Sequence, residues 1–367
     1  MKIAVYTIAL NEEQHVARWA QHNKDADYLM IVDTGSTDKT VELAKSLGIV
    51  CHTISVKPWR FDDARNAALA LLPDNIDYCV SVDMDEMLMP GWRKALEKTK
   101  VTRPRYQYTW NFNPDGTPGL TFGGDHIHTR HGYRWKNAVH EILVPDRIEE
   151  TAEYIDLEIH HRADASKSRG QYLPLLALTV QEAPNDERSS FYYARELFFH
   201  TQYPQAIEEF KRYLSMPHAQ WKPERAAAMR YIANMVSPDL EEMIKWFKAA
   251  VEEDPARREA YVELAKLYYE EKRWEECLEA STLALSIEEK PLDFLCESWA
   301  WGPQPWDYAA ISCYYLSTTE SDLEEAKVLL ERAIKYGTKA VELQPNEVRL
   351  QQNLAFYLKE PSVGNSL

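Results

Sequence analysis

Asp83-Met84-Asp85 closes the apolar run DYCVSV, and its spacing turns two carboxylates to the same side of an extended chain. Like charges so placed repel unless a cation neutralises them. Mg²⁺ or Mn²⁺ prefers such oxygen ligands and leaves positions open for phosphate oxygens. The plainer account is an acidic loop after a strand, since short motifs recur by chance. Position favours the chemistry: the triplet ends the fourth strand of an α/β pattern, where ligands bind. Asn11-Glu12-Glu13 follows the first strand and Asp33-Thr34-Gly35-Ser36-Thr37-Asp38 the second, so both turns face the same crevice. A carboxylate there can accept from a ribose hydroxyl or a base N–H, and the helix starts favour anions. Helix capping by Ser36 or Asp38 is expected as well. No GxGxxG and no Walker lysine motif occurs, which disfavours a dinucleotide cofactor and P-loop chemistry.

The elements that hold these residues are legible. KIAVYTIAL, DYLMIVDTG, IVCHTISV and DYCVSVDMDE are apolar strand runs separated by helical stretches, the pattern of a parallel sheet covered on both faces. Gly48 stands where the second helix should stop. From about residue 103 the alternation ends. RYQYTWNFN, TFGGDHIHTR, YRWKNAVHEILV and YIDLEIHHR predict a mixed or antiparallel extension of the sheet. Beyond 166 the chain is helical and repeats: Ala206, Met243, Cys277 and Ala333 align, as do Ala250, Ala284 and Ala340 seven residues on. A period near 34 residues with Pro255 and Pro345 at unit ends resembles the tetratricopeptide repeat. PLDFLCESWAWGPQPW (291–306) lengthens the last interval as an insertion, and VRLQQNLAFYLK would cap the array.

Composition narrows the class. The 367 residues suit two domains, and 45% hydrophobic with 27% charged residues is ordinary for a globular chain. A net charge of −16, acidic in both halves, argues against a nucleic-acid-binding protein, and a modified base in DNA fits poorly as substrate. No apolar stretch approaches the roughly 20 residues of a membrane span, and MKIAVYTIAL reads as a strand rather than a signal peptide. Five scattered cysteines without a CxxC pair predict neither structural zinc nor a disulfide framework, so a reducing cytoplasm is expected.

IALNEE, IVDTGSTDKT, FDDARNAAL and VDMDE, in this order, resemble the nucleotide-sugar-binding half of a family 2 glycosyltransferase of the GT-A fold. WKNAVHE and IHHRA, running into tetratricopeptide-like helices, resemble a bacterial and phage-borne subgroup of that family. The resemblance implies a Rossmann-like catalytic domain over 1–165 and a helical repeat domain over 166–367. It also implies a UDP-sugar donor, a divalent metal and inversion at the anomeric carbon. By the same resemblance Asp33 contacts the nucleoside, and Ala9, Asn11 and Glu12 line its pocket. Arg65 lies near the diphosphate, with an ion pair to Asp62 or Asp83 as its alternative. Asp83 and Asp85 match the metal motif, Asp85 the direct ligand; the resemblance aligns the further ligand with His161, and His160 is its alternative, since alternation lets one of the two face the site. Arg162 departs from the small or aromatic residue common in relatives.

Inverting transfer needs a base to take the acceptor's proton. Glu141 in NAVHE is the first choice and Asp125 in GGDHIH the second, while His140 supports the loop or serves as base itself. Trp110, Phe112, Tyr133 and Trp135 could stack on sugar rings, although packing is the commoner fate of strand aromatics. The helical domain would recruit a polypeptide or saccharide acceptor, or form a homodimer. Two other classes compete. A nucleotidyltransferase making nucleotide-sugars would need a Gly-rich loop and a lysine after the first strand, and NEEQHVARW has neither. A non-catalytic repeat scaffold should have lost site residues, and Asp33, Arg65, Asp83, Asp85 and Glu141 all remain.

Overall fold

The computed structural model describes residues 1–164 and 170–359. It divides into two compact units, Met1–Glu196 with Leu292–Phe294, and Leu197–Pro291 with the chain from Leu295 onward. The expected domain boundary at 165/166 lies outside the described residues, while the helices α5 (Tyr172–Glu182) and most of α6 (Glu187–Phe199) belong to the first unit.

The first unit begins with alternating strands and helices. These are β1 (Ile3–Ala9), α1 (Glu13–Asn23), β2 (Tyr28–Asp33), α2 (Thr40–Ser46), β3 (Val50–Thr53), α3 (Phe61–Leu71) and β4 (Tyr78–Ser81). β5 (Glu86–Leu88), α4 (Trp92–Leu96), β6 (Arg103–Thr109), β7 (Thr121–Gly124), β8 (Ile127–Thr129), β9 (Tyr133–Lys136), β10 (Ile142–Pro145) and β11 (Ala152–His161) follow. β3, β2, β1 and β4 are adjacent in that order and mutually parallel, and β8 closes the edge antiparallel to β4. The order reverses between β1 and β4, so the crevice of such a sheet opens at their carboxyl ends. Residues of β1 are buried on both faces: Ile3, Val5 and Ala9 pack with Val16 and Trp19 of α1, and Ala4 and Tyr6 with Ala68 and Leu69 of α3. That double burial is why its sequence is a continuous apolar run.

The expected extension of this sheet is divided. Only β8 joins it, whereas β5, β11, β6 and β7 make a separate mixed sheet and β9–β10 a two-stranded one. TFGGDHIHTR, read as one strand, is therefore two strands in different sheets. The change comes at Gly124, where a Cβ would lie 2.2 Å from the Tyr106 ring, so only glycine permits β7 this close to β6. Ser36 does not cap α2. The helix starts at Thr40, and the Ser36 hydroxyl instead accepts from the Asn11 amide at 2.8 Å. Gly48 follows α2 with φ +75°, as a helix stop requires.

The second unit is helical: α7 (Tyr203–Leu214), α8 (Lys222–Met235), α9 (Leu240–Glu253), α10 (Arg258–Glu270), α11 (Trp274–Ser286), α12 (Gln304–Thr319), α13 (Leu323–Leu343) and α14 (Val348–Tyr357). α8 packs on α9, α10 on α11 and α12 on α13. Of the aligned positions Ala206, Cys277 and Ala333 are buried and the larger Met243 is only partly so, while Ala250, Ala284 and Ala340 are all buried. Small residues recur there because a larger side chain would hold neighbouring helices apart. Asp239 and Asp322 cap α9 and α13, accepting from Glu242 N at 3.1 Å and Glu324 N at 2.8 Å. Residues 287–303 between α11 and α12 hold no α-helix, only a 3-10 turn at Ser298–Trp301. Among the described residues no helix is long and apolar enough to cross a membrane.

Candidate active site

Beyond β4 the chain does not continue extended through the acidic triplet. The amide of Glu86 donates to the Asp83 carbonyl at 3.0 Å, making a turn, and Met84 is buried between the two aspartates. The Trp19 indole donates to the Val82 carbonyl at 3.0 Å, fixing the turn to α1. Asp83 and Asp85 thus line one cleft of about 340 Å³ but engage different partners. Arg65, Asp125, Glu141 and His161 line it too.

Arg65 projects from α3 and is buried. Its Nε donates to Glu141 Oε1 at 2.5 Å, its Nη1 to Ser81 Oγ at 2.9 Å and its Nη2 to both Asp83 oxygens at 2.8 and 3.0 Å. Burial works against the charge, but Asp83 and Glu141 outweigh it and hold the guanidinium well above its ordinary pKa. The ion pair with Asp83 is present, whereas Asp62 pairs with Arg60 at 3.1 Å. α3 also clamps the strand before Glu141: the Asn66 side chain accepts from Trp135 N and donates to Trp135 O, at 2.8 and 2.9 Å. The β9–β10 connection then turns with positive φ at Asn137 (+85°) and His140 (+52°), which presents Val139, His140 and Glu141 to the cleft. The His140 ring stacks on Tyr192, centroids 4.2 Å apart. Asp125 is held by Arg103, Nη2 to Oδ2 at 2.6 Å.

His161 and His160 point to opposite sides of β11, as alternation demands. His160 contacts Glu158 at 3.2 Å, while His161 Nε2 lies 3.5 Å from Asp85 Oδ2. The His161 ring donates Nδ1–H to the Trp110 carbonyl at 2.9 Å, which leaves Nε2 as the nitrogen facing Asp85. A carbonyl behind the ring and an oxygen in front is the arrangement of a metal-ligating histidine, so Asp85 and His161 fit a hard divalent cation. Among the described residues no group of three or more His, Cys, Asp or Glu could hold a metal ion, so water and substrate oxygens would complete its shell. The same approach suits a proton. Burial opposes charge on the ring, but Asp85 and the Trp110 carbonyl outweigh burial and raise its pKa.

Ala9, Asn11, Glu12 and Asp33 gather at the ends of β1 and β2 and are not part of the cleft's lining. Asp33 accepts from the amides of Gly35 and Ser36 at 3.2 and 3.0 Å, and the Ala9 carbonyl accepts from Thr34 N at 2.9 Å. Asn11, with φ +56°, accepts from Thr37 N at 2.8 Å, and Glu12 N donates to Thr40 Oγ1 at 2.7 Å. The two strand–helix turns are thereby joined through their own polar side chains.

Sequence reasoning passed over Glu86. Buried in the same cleft, it accepts from Asp83 N at 2.8 Å and from the Tyr108 hydroxyl at 2.6 Å. Burial and the Asp83 charge push its pKa up to about 7. Its signal in the sequence is the third acid of VDMDE, which falls outside the alternating Asp83–Asp85 pair. Arg188 on α6 and Tyr172 on α5 were also missed, since both lie beyond the residues assigned to catalysis. Of the strand aromatics, Tyr133 and Trp135 are core and Phe112 packs against His160 and Arg162. Trp110 lines the cleft, stacked on His161 at 4.3 Å.

No family model matches the chain. The chain is similar to uncharacterized glycosyltransferases of Rickettsia typhi (35% identical over 97 residues, 26% of this chain and 32% of the relative) and Rickettsia bellii (35% over 108 residues, 29% and 35%). A further such protein, from Rickettsia prowazekii, is 32% identical over 97 residues. The chain spans about a third of the length of these curated relatives. Among solved structures it is similar to a thermophilic tetratricopeptide protein of Thermus thermophilus (18% identical, 51% of this chain and 88% of that one, TM-score 0.31). It is also similar to MamA from Desulfovibrio magneticus (13% identical, 47% and 82%, TM-score 0.34).

Proposed function

We propose that the protein is a metal-dependent, inverting glycosyltransferase of the GT-A, family 2 type that moves a sugar from a UDP-sugar to a saccharide or polypeptide acceptor. The observation that supports this best is the convergence in one cleft of Asp85 facing His161 and of two further carboxylates, Glu141 and Asp125. The likeness to proteins named glycosyltransferases agrees with it.

In this reading Glu141 takes the proton from the acceptor nucleophile, which attacks the anomeric carbon as the bond to the diphosphate oxygen breaks on the opposite face. Arg65 fixes the Glu141 carboxylate through Nε and aims its other oxygen at the acceptor. Asp85 and His161 would hold Mn²⁺ or Mg²⁺, whose chemistry there is to offset charge on the departing diphosphate. Asp33 and the β1 turn, with Ala9, Asn11 and Glu12, receive the nucleoside. The helical unit recruits the acceptor or pairs two copies of the chain.

Thermal-shift measurements with UDP, GDP, CDP and their sugars, with and without Mn²⁺, test the donor class. A stabilising shift with a UDP-sugar that requires Mn²⁺ and is lost in Asp85→Ala is expected. No shift with any nucleotide would overturn the reading in favour of a repeat scaffold.

A further inference from the structure

Two guanidinium groups line the cleft under opposite circumstances. Arg65 has committed Nε, Nη1 and Nη2 to Glu141, Ser81 and Asp83. Arg188, at the start of α6, lines the same cleft with its guanidinium carbon 4.7 Å over the Tyr192 ring. Its Nε is buried and has no hydrogen-bond acceptor among the described residues, and none of their carboxylates lies within ion-pairing distance of it. A buried donor without an acceptor is costly, and in a native structure it calls for a ligand or another explanation.

The group is also held in place. Tyr192 stacks on His140 at 4.2 Å and on Phe294 at 6.1 Å, so the ring under Arg188 is fixed from two sides. Stacking on an aromatic face orients the planar fork without using its donors. A fixed fork whose Nη1 and Nη2 donate to no described residue matches phosphate oxygens, which accept paired N–H bonds, and the buried Nε adds an unsatisfied donor behind them. The cleft otherwise presents Asp83, Asp85, Glu86, Asp125 and Glu141, so an anion entering it needs an unspent cation.

We propose that Arg188 is the phosphate-binding residue of this cleft and that its ligand is the diphosphate of a nucleotide ester. This rests on the glycosyltransferase reading, and it moves the role of diphosphate partner from Arg65, whose donors serve the protein itself, to a residue of the helical sequence. A phosphate carried by the acceptor has the same chemistry, and the test separates the two sources.

Calorimetric titration of the full chain with inorganic pyrophosphate, UDP and uridine, all with Mg²⁺, would compare wild type, Arg188→Gln and Arg188→Lys. Loss of one charge-assisted pair predicts about tenfold weaker pyrophosphate and UDP binding in Arg188→Gln, an intermediate loss in Arg188→Lys, and no change for uridine. Weakened pyrophosphate with unchanged UDP would overturn the donor assignment and place the phosphate on the acceptor side. Equal pyrophosphate affinity in wild type and Arg188→Gln, or no pyrophosphate binding by wild type, would overturn the anion site itself. Arg188-dependent pyrophosphate binding without any nucleotide preference would sink the glycosyltransferase reading while leaving the anion site standing.

Discussion

Arg65 Nε and Glu141 Oε1 meet at 2.5 Å across 76 residues of sequence, joining the helix after β3 to the turn between β9 and β10. The pair is almost wholly out of water, with 6% and 11% of the two side chains exposed. Neither partner can therefore be altered without consequence for the other. Arg65→Met would strand Glu141 and release Asp83, costing about 3–5 kcal/mol by the usual penalty for breaking a buried pair. Urea unfolding followed by fluorescence would measure this, and a cost below about 1 kcal/mol would mean that water reaches the pair.

Glu141→Gln keeps a carbonyl oxygen for Arg65 and should preserve the fold while removing the base. UDP-sugar binding is expected to stay within a factor of a few, and transfer to fall by about 10²–10⁴-fold. Should Glu141→Gln remain active while Asp125→Asn does not, the base is Asp125.

Asp85→Ala and His161→Ala each take one face from the cation-binding pair. Mn²⁺ electron paramagnetic resonance in the presence of UDP should show bound ion in wild type and little in either variant. EDTA should abolish transfer, and added Mn²⁺ should restore it. Undiminished Mn²⁺ binding by both variants would place the ion elsewhere.

His128 supplies a pH dependence of stability. Burial lowers its pKa to about 4, against the partial compensation of the Thr129 carbonyl that accepts from Nδ1 at 2.7 Å. The unfolded ring titrates near 6.5, so between these values the unfolded chain binds the extra proton. Stability from this group is complete above about pH 6.5 and falls by about 3 kcal/mol as pH drops through 4. Unfolding midpoints at several pH values should show this slope reduced in His128→Asn.

In the helical unit, Ala284→Leu should destabilise by about 1–3 kcal/mol because the site is fully buried on α11. Its neighbour Leu283 is 44% exposed, and Leu283→Ala should change stability by about 0.5 kcal/mol or less. Equal effects at the two positions would contradict the packing of α11.

The sequence by itself determined the elements whose signals are local. Continuous apolar runs specified β1, β2, β3 and β4, and their alternation with helices specified parallel pairing. Recurring small residues at Ala250, Ala284 and Ala340 marked helix crossings before any helix was seen, because close approach excludes larger side chains. The acids of VDMDE and the motif NAVHE were likewise visible as chemistry. What the sequence left open depended on contacts between distant segments. That Arg65 is bound by Glu141, that His161 rather than His160 meets Asp85, and that Glu86 is buried against Tyr108 follow from how β4, β6, β11 and the β9–β10 turn pack. Asp33 and Asn11 show the same dependence: that Asp33 also bonds its own turn and Asn11 the neighbouring one, through Thr37 N, follows from how the ends of β1 and β2 lie side by side. Arg188 is the clearest case. The i, i+4 spacing of Arg188 and Tyr192 in ERSSFYYAR already allows their stacking on one helix face; only the tertiary fold brings that pair to the cleft and leaves the Nε–H without an acceptor among the described residues. Local preference acts over a few residues, whereas the partner of a charge is settled by which segments share a volume.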